Sequence, residues 1–284
     1  MIVGLIGEAK TQFAMHGIES PQLEAELLLA AALGTTRSQL YLQSDRAPTA
    51  GEASVFSGFV EKRIERIPLQ YITGEAGFRH LTLQVDSSVL IPRPETEILV
   101  EVALELAIHS GGSNVLELGC GSGAIALSLL YESESTRVVA TDISAAAIRT
   151  ASRNAVRYDL DSRMLFVCGD LLRPLREAAH FDMIISNPPY IRSGDLGALE
   201  PGVRDYEPRQ ALDGGVDGLT FYRRIAHDAA GLLSAGGQLF LEVGDDQSGE
   251  VMEILRESGT YVDVAARDDL NGIPRVVSAR VRRN

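Results

Sequence analysis

Four consecutive residues, Asn187-Pro188-Pro189-Tyr190, form the stretch of the chain best suited to chemistry. They follow an apolar segment, residues 181–186, that has the composition of a buried strand. Neither proline can donate a backbone hydrogen bond to a sheet, so the strand must end there. The turn offers carbonyl oxygens, the Asn187 side-chain oxygen and the flat ring of Tyr190. These groups could accept both N–H bonds of a planar group bearing an NH2 while the ring stacks on its face.

The nitrogen of such a group is a poor nucleophile because its lone pair is delocalised into the adjoining π system. Two acceptors that favour a pyramidal nitrogen would localise the lone pair during reaction, which stabilises the transition state. The tetrapeptide resembles the motif of methyltransferases that act on amino groups bonded to planar carbon, such as those of adenine, cytosine, guanine and the glutamine side chain. The alternative interpretation is a strand-ending double-proline turn without chemical meaning.

A glycine-rich loop lies upstream, with Gly119, Gly121 and Gly123 between a predicted strand at 114–118 and a predicted helix at 124–131. Such a turn could serve a dinucleotide, S-adenosylmethionine or close packing alone. The nicotinamide signature Gly-x-Gly-x-x-Gly does not fit, because the third glycine comes one residue early.

Three acidic residues lie near predicted strand ends around this loop. Asp142 ends the second strand, roughly twenty residues on, where a carboxylate can accept both ribose hydroxyls of a nucleotide. Asp170 follows the third strand and could accept from an adenine amino group. Glu117 precedes the loop and could reach the amino end of a methionine moiety, directly or through water. Each could instead cap a helix or be solvated, but all three together with Asn187-Pro188-Pro189-Tyr190 indicate a site for a nucleotide-like methyl donor.

Strands and helices alternate over the second part of the chain, which specifies an open parallel sheet. Strands are predicted at 114–118, 137–141, 164–168, 181–186, 238–243, 261–266 and 274–281. Ligands of such sheets lie outside the carboxyl ends of the strands, so Asn187 and the three acids are expected at one edge. The combination resembles the S-adenosylmethionine-dependent methyltransferases with a seven-stranded sheet. Methyl transfer there would depend on positioning and desolvation rather than on a dedicated base.

The predicted fold class is α/β, with a Rossmann-like seven-stranded methyltransferase domain after a small helical bundle and a β-hairpin linker. Apolar residues recur at helical spacing before residue 67 and alternate in the strand manner at 70–74 and 81–85. The predicted domains are therefore a helical substrate-recognition domain at 1–67, the hairpin linker at 68–90 and the methyltransferase domain at 91–284. Pro94 is expected in the first turn of the helix that follows the hairpin.

Composition limits the function classes. The 284 residues carry a formal net charge of −13, which argues against broad, sequence-independent nucleic-acid binding. Apolar runs of membrane-spanning length and a targeting signal are not evident. Cys120 and Cys168 are typical of a reducing compartment, and the five histidines are scattered without metal-ligand spacing. We expect a cytoplasmic protein with no metal, no membrane association and no direct nucleic-acid binding.

Five further segments bear on which amino group is methylated, and they lie at 68–78, 90–97, 206–219, 242–247 and 269–275. Together with the tetrapeptide they resemble the HemK/PrmC family, the protein glutamine methyltransferases of peptide chain release factors. The resemblance covers nearly the whole chain and is loosest in the amino-terminal region, where substrate selection is expected.

The resemblance implies the substrate, the glutamine of the Gly-Gly-Gln tripeptide in class I release factors, with S-adenosylhomocysteine as the second product. It implies that the Asn187 side chain and the Pro188 carbonyl hold the amide while Tyr190 packs on it. The other substrate-binding residues so implied are Pro189, Arg93, Pro94 and Thr96, with Glu207 and Arg209 ordering the adjacent loop. The implied cofactor-binding residues are Glu117, Gly119, Gly121, Gly123, Asp142, Asp170 and Asn187.

Two other hypotheses stay open. A DNA or RNA amino-methyltransferase predicts a basic face and a base-flipping pocket, against which the acidic balance weighs. A binding module that has kept only the cofactor fold would be expected to lose part of the reacting motif, all of which is present.

Overall fold

The computed structural model describes residues 1–42, 45–109, 112–175 and 180–282. They form two compact units, one of Met1–Glu75 with Glu200–Tyr206 and the other of Ala76–Leu199 with Glu207–Asn284. The predicted domains 1–67 and 91–284 also include 43–44, 110–111, 176–179 and 283–284, which lie outside the described ranges.

The first unit is helical, as the apolar spacing predicted. Its helices are α1 (Ile2–Met15), α2 (Pro21–Ala32), α3 (Arg37–Leu42), α4 (Ala50–Ile64), α5 (Leu69–Thr73) and, from the later segment, α9 (Pro201–Tyr206). Its core includes the fully buried side chains of Phe13, Leu28 and Leu29. Thr49 caps α4 because its hydroxyl accepts from the Glu52 N–H at 3.2 Å, while the Glu52 carboxylate accepts from the Thr49 N–H at 2.7 Å.

Residues 70–74 were predicted as a strand, and this prediction is wrong, because residues 69–73 are helical. They form the single turn α5, in which the backbone N–H groups of Tyr71 and Ile72 donate to the Pro68 carbonyl. Pro68 suits this position because a helix start needs no donor there. Gly74 ends the turn with a left-handed φ of +77°, a conformation that costs glycine little. The hairpin follows as β1 (Glu75–Phe78) and β2 (Leu81–Gln84).

The second unit contains the predicted sheet, and all seven predicted strands are confirmed. They are β3 (Asn114–Leu118), β4 (Arg137–Asp142), β5 (Met164–Cys168), β6 (Phe181–Ser186), β7 (Leu233–Glu242), β8 (Tyr261–Asp268) and β9 (Pro274–Val281), in the order β5-β4-β3-β6-β7-β9-β8. The first five strands in this order, β5, β4, β3, β6 and β7, run parallel to one another. The strand β9 is antiparallel to both of its neighbours, β7 and β8. The strand β7 begins at Leu233, five positions before the predicted start at Gln238, because Leu233 pairs with Phe181 ahead of a register irregularity.

Helices cover both faces of this sheet. They are α6 (Thr96–His109), α7 (Ala124–Glu132), α8 (Ala145–Arg157), α10 (Thr220–Asp228) and α11 (Ser248–Glu257). One apolar core joins α6, α7 and α8 to the sheet and the hairpin, and a second core joins α10 and α11 to the other face. Pro94 lies in a turn just before α6 rather than inside it, since the Thr96 N–H donates to the Arg93 carbonyl.

The strand order reverses between β3 and β6, because the chain leaves β3 toward β4 and β5 and then returns to its other side. Leu118 of β3 pairs with Ser186 of β6, so Gly119 and Asn187 leave adjacent strand ends. This is the topological switch point at which open α/β sheets bind ligands. In the part of the chain that the structure describes, no helix is both long and apolar enough to cross a membrane.

Candidate active site

A cavity of about 430 Å³ lies at this carboxyl edge of the sheet in the second unit. Most of the predicted site residues line it, namely Arg93, Thr96, Glu117, Gly119, Gly121, Asp142, Asp170, Asn187 and Pro189. The sequence therefore identified residues that the fold brings to one place. Pro94, Gly123, Pro188 and Tyr190 were also predicted, and they are not among the residues that line the cavity.

The glycine loop presents an open backbone to the cavity. Gly119 and Gly121 adopt φ of +74° and +53°, and a Cβ added to either would meet no atom within 4 Å. Gly123 differs, because an added Cβ would lie 3.1 Å from Leu127 Cδ1 and 3.2 Å from Ala151 Cβ. The first two glycines thus leave room for a ligand against their backbone, while the third allows α7 and α8 to pack closely.

Asp142 fastens this loop to the end of β4. Its Oδ2 accepts from the Gly121 N–H at 2.9 Å and its Oδ1 accepts from the Ser144 N–H at 2.8 Å. Burial raises the pKa of Asp142, and these backbone donors oppose the rise. The neighbouring Ile143 is 62% exposed and lines the cavity. Sequence reasoning missed Ile143, although a large apolar residue directly after a predicted ribose-binding acid is a usable signal.

Glu117 is a buried acid in the cavity wall whose carboxyl group lacks hydrogen-bond partners within the described ranges. It is 1% exposed, and neither carboxyl oxygen has a hydrogen-bond partner within the described ranges. Burial raises the pKa of Glu117 well above its usual value, and the nearby Asp142 adds to the rise. A buried carboxyl without partners is costly unless a bound molecule supplies donors. A ligand ammonium group at the cavity wall would meet this need.

Asp170 is already engaged by an arginine. Both of its oxygens lie 2.7 Å from Nη2 of Arg224, and Arg173 approaches Oδ2 at 3.3 Å. The guanidinium of Arg224 also lies 5.8 Å from the ring centre of Phe221, and both residues line the cavity. A carboxylate has about four acceptor positions, so Asp170 retains capacity for an amino group. Sequence reasoning missed Arg224 and Phe221, which belong to no recognisable motif.

Asn187 has a defined side-chain environment. Its Nδ2 donates to the Thr96 hydroxyl at 3.2 Å, and both side chains face the carboxyl group of Glu242, where they oppose the rise that burial causes in its pKa. Because these contacts use the amide nitrogen, the Asn187 Oδ1 is the atom left to accept from a ligand. Glu242 appeared in the sequence only within a segment of family resemblance, and nothing local predicted its position below Asn187.

Tyr190 lies beside the cavity residues but packs toward the protein core. Its carbonyl oxygen accepts from Nε2 of Gln247 at 2.9 Å, and its ring abuts Gly244, where an added Cβ would come within 3.3 Å of Cδ2. Burial raises the pKa of Tyr190 to about 12, so its hydroxyl stays protonated near neutrality. The predicted stacking of its ring on a substrate stays a prediction.

Glu207 links two segments next to the cavity. Its Oε1 lies 2.5 Å from Nη2 of Arg93, and its Oε2 accepts from the Ile91 N–H at 3.3 Å. Arg209 instead pairs with Asp213 at 3.3 Å. The loop after residue 206 is thereby held to the segment before α6, with the Arg93 guanidinium fixed in between.

Comparison with known proteins identifies the family. Residues 5–74 match the model of the PrmC N-terminal domain, and residues 94–198 match that of the methyltransferase small domain. The chain is 44% identical over 268 residues to the release factor glutamine methyltransferase of Geobacter sulfurreducens, covering 94% of this chain and 92% of that one. The chain belongs to the release factor glutamine methyltransferase family. The resemblance read from the sequence is thus confirmed.

Solved structures at lower identity share the fold. A methyltransferase from Pyrococcus furiosus is 21% identical with a TM-score of 0.52, covering 71% of this chain and 89% of that one. A Thermus thermophilus 16S rRNA N2 methyltransferase, solved in complex with AdoMet and guanosine, is 22% identical with a TM-score of 0.52. It covers 73% of this chain and 50% of that one. These likenesses confirm the Rossmann-like methyltransferase fold.

Proposed function

We propose that this chain transfers a methyl group to the side-chain amide nitrogen of the glutamine in the Gly-Gly-Gln motif of class I peptide chain release factors. The observation that carries the proposal is its 44% identity, over 94% of the chain, to a release factor glutamine methyltransferase. The chemistry of the cavity supports it, because an amide-facing acceptor and an unpartnered buried acid line the same space.

The residues at the cavity fit S-adenosylmethionine. Glu117 would pair with its amino group, since the buried carboxyl otherwise lacks donors. The open backbone at Gly119 and Gly121 would accommodate the methionine portion, and Asp142 would accept from the ribose hydroxyls. Asp170 would contribute to the adenine end. When bound, the cofactor supplies a methyl group whose bond to the sulfonium sulfur breaks with the electron pair left on sulfur, so S-adenosylhomocysteine is the product.

The acceptor side of the site would hold the glutamine amide. Asn187 Oδ1 and the Pro188 carbonyl accept its two N–H bonds and favour the pyramidal nitrogen that develops in the transition state and is absent from the planar substrate amide. Arg93, Thr96 and Pro189 complete the surface around it. The nitrogen releases one proton to solvent after methylation. A dedicated base is not required, because a positively charged amide nitrogen is strongly acidic.

The helical residues 1–67 would grip the release factor, while the segment 68–90 joins them to the methyltransferase domain 91–284. Every residue assigned to the cofactor or to the amide lies after this helical region. The first unit would therefore select the release factor, and the second unit would bind the cofactor and carry out methyl transfer.

A methyl-transfer assay with labelled S-adenosylmethionine tests the function. Purified enzyme is offered a class I release factor, the same protein with Gly-Gly-Gln changed to Gly-Gly-Ala, duplex DNA and ribosomal RNA in parallel. We expect label on the unmodified release factor alone. Label on the Gly-Gly-Ala protein would move the acceptor to another residue, and label on nucleic acid alone would favour an amino-methyltransferase of DNA or RNA.

A further inference from the structure

Glu242 is a buried acid at the carboxyl end of β7, next to the end of β6 that leads to Asn187-Pro188-Pro189-Tyr190. The strand β7 is paired with β6, and Leu241 lies opposite Ser186. Glu242 and Asn187 are the next residues of the two strands, so they lie side by side. The residue is 2% exposed, and its Oε2 has no hydrogen-bond partner within the described ranges. Carboxyl groups in such surroundings are rare unless they serve a structural or chemical purpose.

The contacts of this carboxyl group converge on one side chain. Thr96, 4% exposed at the start of α6, accepts from Nδ2 of Asn187 at 3.2 Å and faces the Glu242 carboxyl group. The Asn187 side chain faces the same carboxyl group. The Asn187 amide nitrogen thus has the Thr96 hydroxyl as one acceptor and faces the Glu242 carboxylate as a second, and together they favour one rotation of the terminal amide.

The charged and titratable groups around Glu242 come from several elements. Glu95, just before α6, disfavours its ionised form, whereas Arg275 of β9 favours it. The Arg275 guanidinium is shared with Asp245 and Asp269, which weakens its hold on Glu242. Tyr190 and Tyr222 also face the group, and the Tyr222 hydroxyl donates to the Glu242 backbone carbonyl at 2.8 Å rather than to its carboxyl group.

We propose that Glu242 is a positioning residue whose ionised carboxylate holds the Asn187 amide with Nδ2 inward, so that Oδ1 can accept from the substrate amide. The role rests on the proposed function, since it concerns the acceptor side of the same site. An ionised carboxylate can only accept, so it selects the nitrogen of Asn187 and excludes the oxygen. The catalytic contact itself remains with Asn187.

Protonation reverses this selection. A protonated carboxyl group gains an O–H donor, which the Asn187 oxygen can accept after the amide flips. The flipped amide presents its NH2 to the NH2 of the substrate, and two donors then face each other without an acceptor. Burial raises the pKa of Glu242 to about 7, so the switch falls near neutral pH. Methyl transfer should therefore weaken as the pH drops below neutrality.

The test is the pH dependence of single-turnover methyl transfer at saturating S-adenosylmethionine and release factor, between about pH 5.5 and 8.5. For the wild-type enzyme we expect the rate to fall about tenfold per unit below neutrality and to level off above it. Glu242→Gln has nearly the same shape but cannot ionise. We expect it to show a flat profile, with its rate at high pH reduced about tenfold because its amide can present either end to Asn187.

Matched variants separate positioning from simple support of the fold. Glu132→Gln removes a carboxylate that pairs with Arg79 in the same unit, away from the cavity, and should keep the wild-type profile. Thr96→Ser keeps the hydroxyl that accepts from Asn187, whereas Thr96→Val removes it at similar size, so Thr96→Ser should transfer methyl groups faster than Thr96→Val. Cofactor affinity should stay within a few-fold in all of them.

The outcomes are distinguishable. If Glu242→Gln folds, binds cofactor and keeps the wild-type pH profile, the positioning role is refuted while the methyltransferase function stands. Equal rates for Thr96→Val and Thr96→Ser would refute it by a second route, should Glu242→Gln fail to fold. Absence of transfer to the release factor by the wild-type enzyme at every pH would overturn the proposed function and this role with it.

Discussion

The polar side chains around the cavity differ in what already holds them. Asp142 is tied by two backbone N–H groups and Asp170 by Arg224, whereas the Glu117 carboxyl group has no partner in the described ranges. A ligand would therefore satisfy Glu117 most and disturb Asp142 least. The Asn187 amide donates through Nδ2 and leaves its Oδ1 without a contact of its own. This oxygen can accept an N–H of the substrate amide, so Asn187 is suited to the substrate rather than to the cofactor.

This division predicts how Asn187→Ala behaves. Removing the side chain removes one acceptor of the amide N–H bonds, and loss of one such group in other enzymes costs about a hundred- to a thousandfold in turnover. We expect kcat to fall by that factor, while S-adenosylmethionine affinity measured by calorimetry stays within a few-fold. Glu132→Gln is the control, because Glu132 pairs with Arg79 and does not line the cavity. Lost cofactor binding with normal single-turnover transfer would show that Asn187 belongs to the cofactor site instead.

At the scale of elements, the sequence predicted the sheet better than it predicted the short segments. Each strand is an apolar run bounded by glycine, proline or a polar turn, and this pattern is compatible with little else. Residues 70–74 were predicted as a strand, yet one helical turn over 69–73 buries Ile72 once Pro68 and Gly74 set its ends. Glu242 could not be assigned, because its role depends on strand pairing and on α6, both distant in the sequence.

The capping box of α4 gives a test at the same scale. Thr49→Ala removes the acceptor for the Glu52 N–H and should lower the free energy of unfolding by about 1 kcal/mol. Thr49→Ser keeps a hydroxyl cap and should stay close to the wild-type protein. Urea unfolding followed by circular dichroism measures both. Indistinguishable midpoints for the alanine and wild-type chains would mean that water replaces the cap without loss.

At the scale of the whole molecule, the buried carboxyl groups link stability to pH. Burial raises the pKa of Glu242 from 4.5 to about 7, so the folded protein binds more protons than the unfolded chain between these values. Relative to acidic pH, where Glu242 is neutral in both states, the free energy of unfolding therefore falls as the pH rises from about 4.5 to about 7. The shift corresponds to roughly 3 kcal/mol as an upper limit.

Glu242→Gln should remove this loss in the cofactor-free protein. Compared with the wild-type chain, the variant should gain up to about 3 kcal/mol in unfolding free energy between about pH 5 and pH 8. Glu132→Gln, which alters a partly exposed ion pair, should show no such gain. Denaturant titrations at the two pH values give the comparison. A constant difference between variant and wild type would mean that Glu242 ionises no differently in the folded and unfolded chains.

The division into two units predicts what each contributes to substrate choice. The first unit includes α9 as well as the amino-terminal helices, since the Tyr206 hydroxyl donates to the Glu65 carbonyl at 2.7 Å. A chain that begins at Leu69 would lose those helices and leave α9 without its partners. All residues of the cavity remain in it, so once calorimetry shows that it binds S-adenosylmethionine, its fold is sufficient for the comparison.

We expect this shortened chain to methylate a short peptide containing Gly-Gly-Gln as well as the full chain does, because the peptide reaches only the cavity. With whole release factor as the substrate, we expect kcat/KM to be at least about tenfold lower for the shortened chain than for the full chain. Each loss of about 1.4 kcal/mol in binding free energy weakens binding about tenfold. The loss should appear in KM rather than in kcat, because the contacts concerned do not change during methyl transfer. Equal kcat/KM on whole release factor would show that the helical unit does not select the substrate. If kcat/KM on the short peptide fell by the same factor, part of the first unit would contribute to the catalytic step itself.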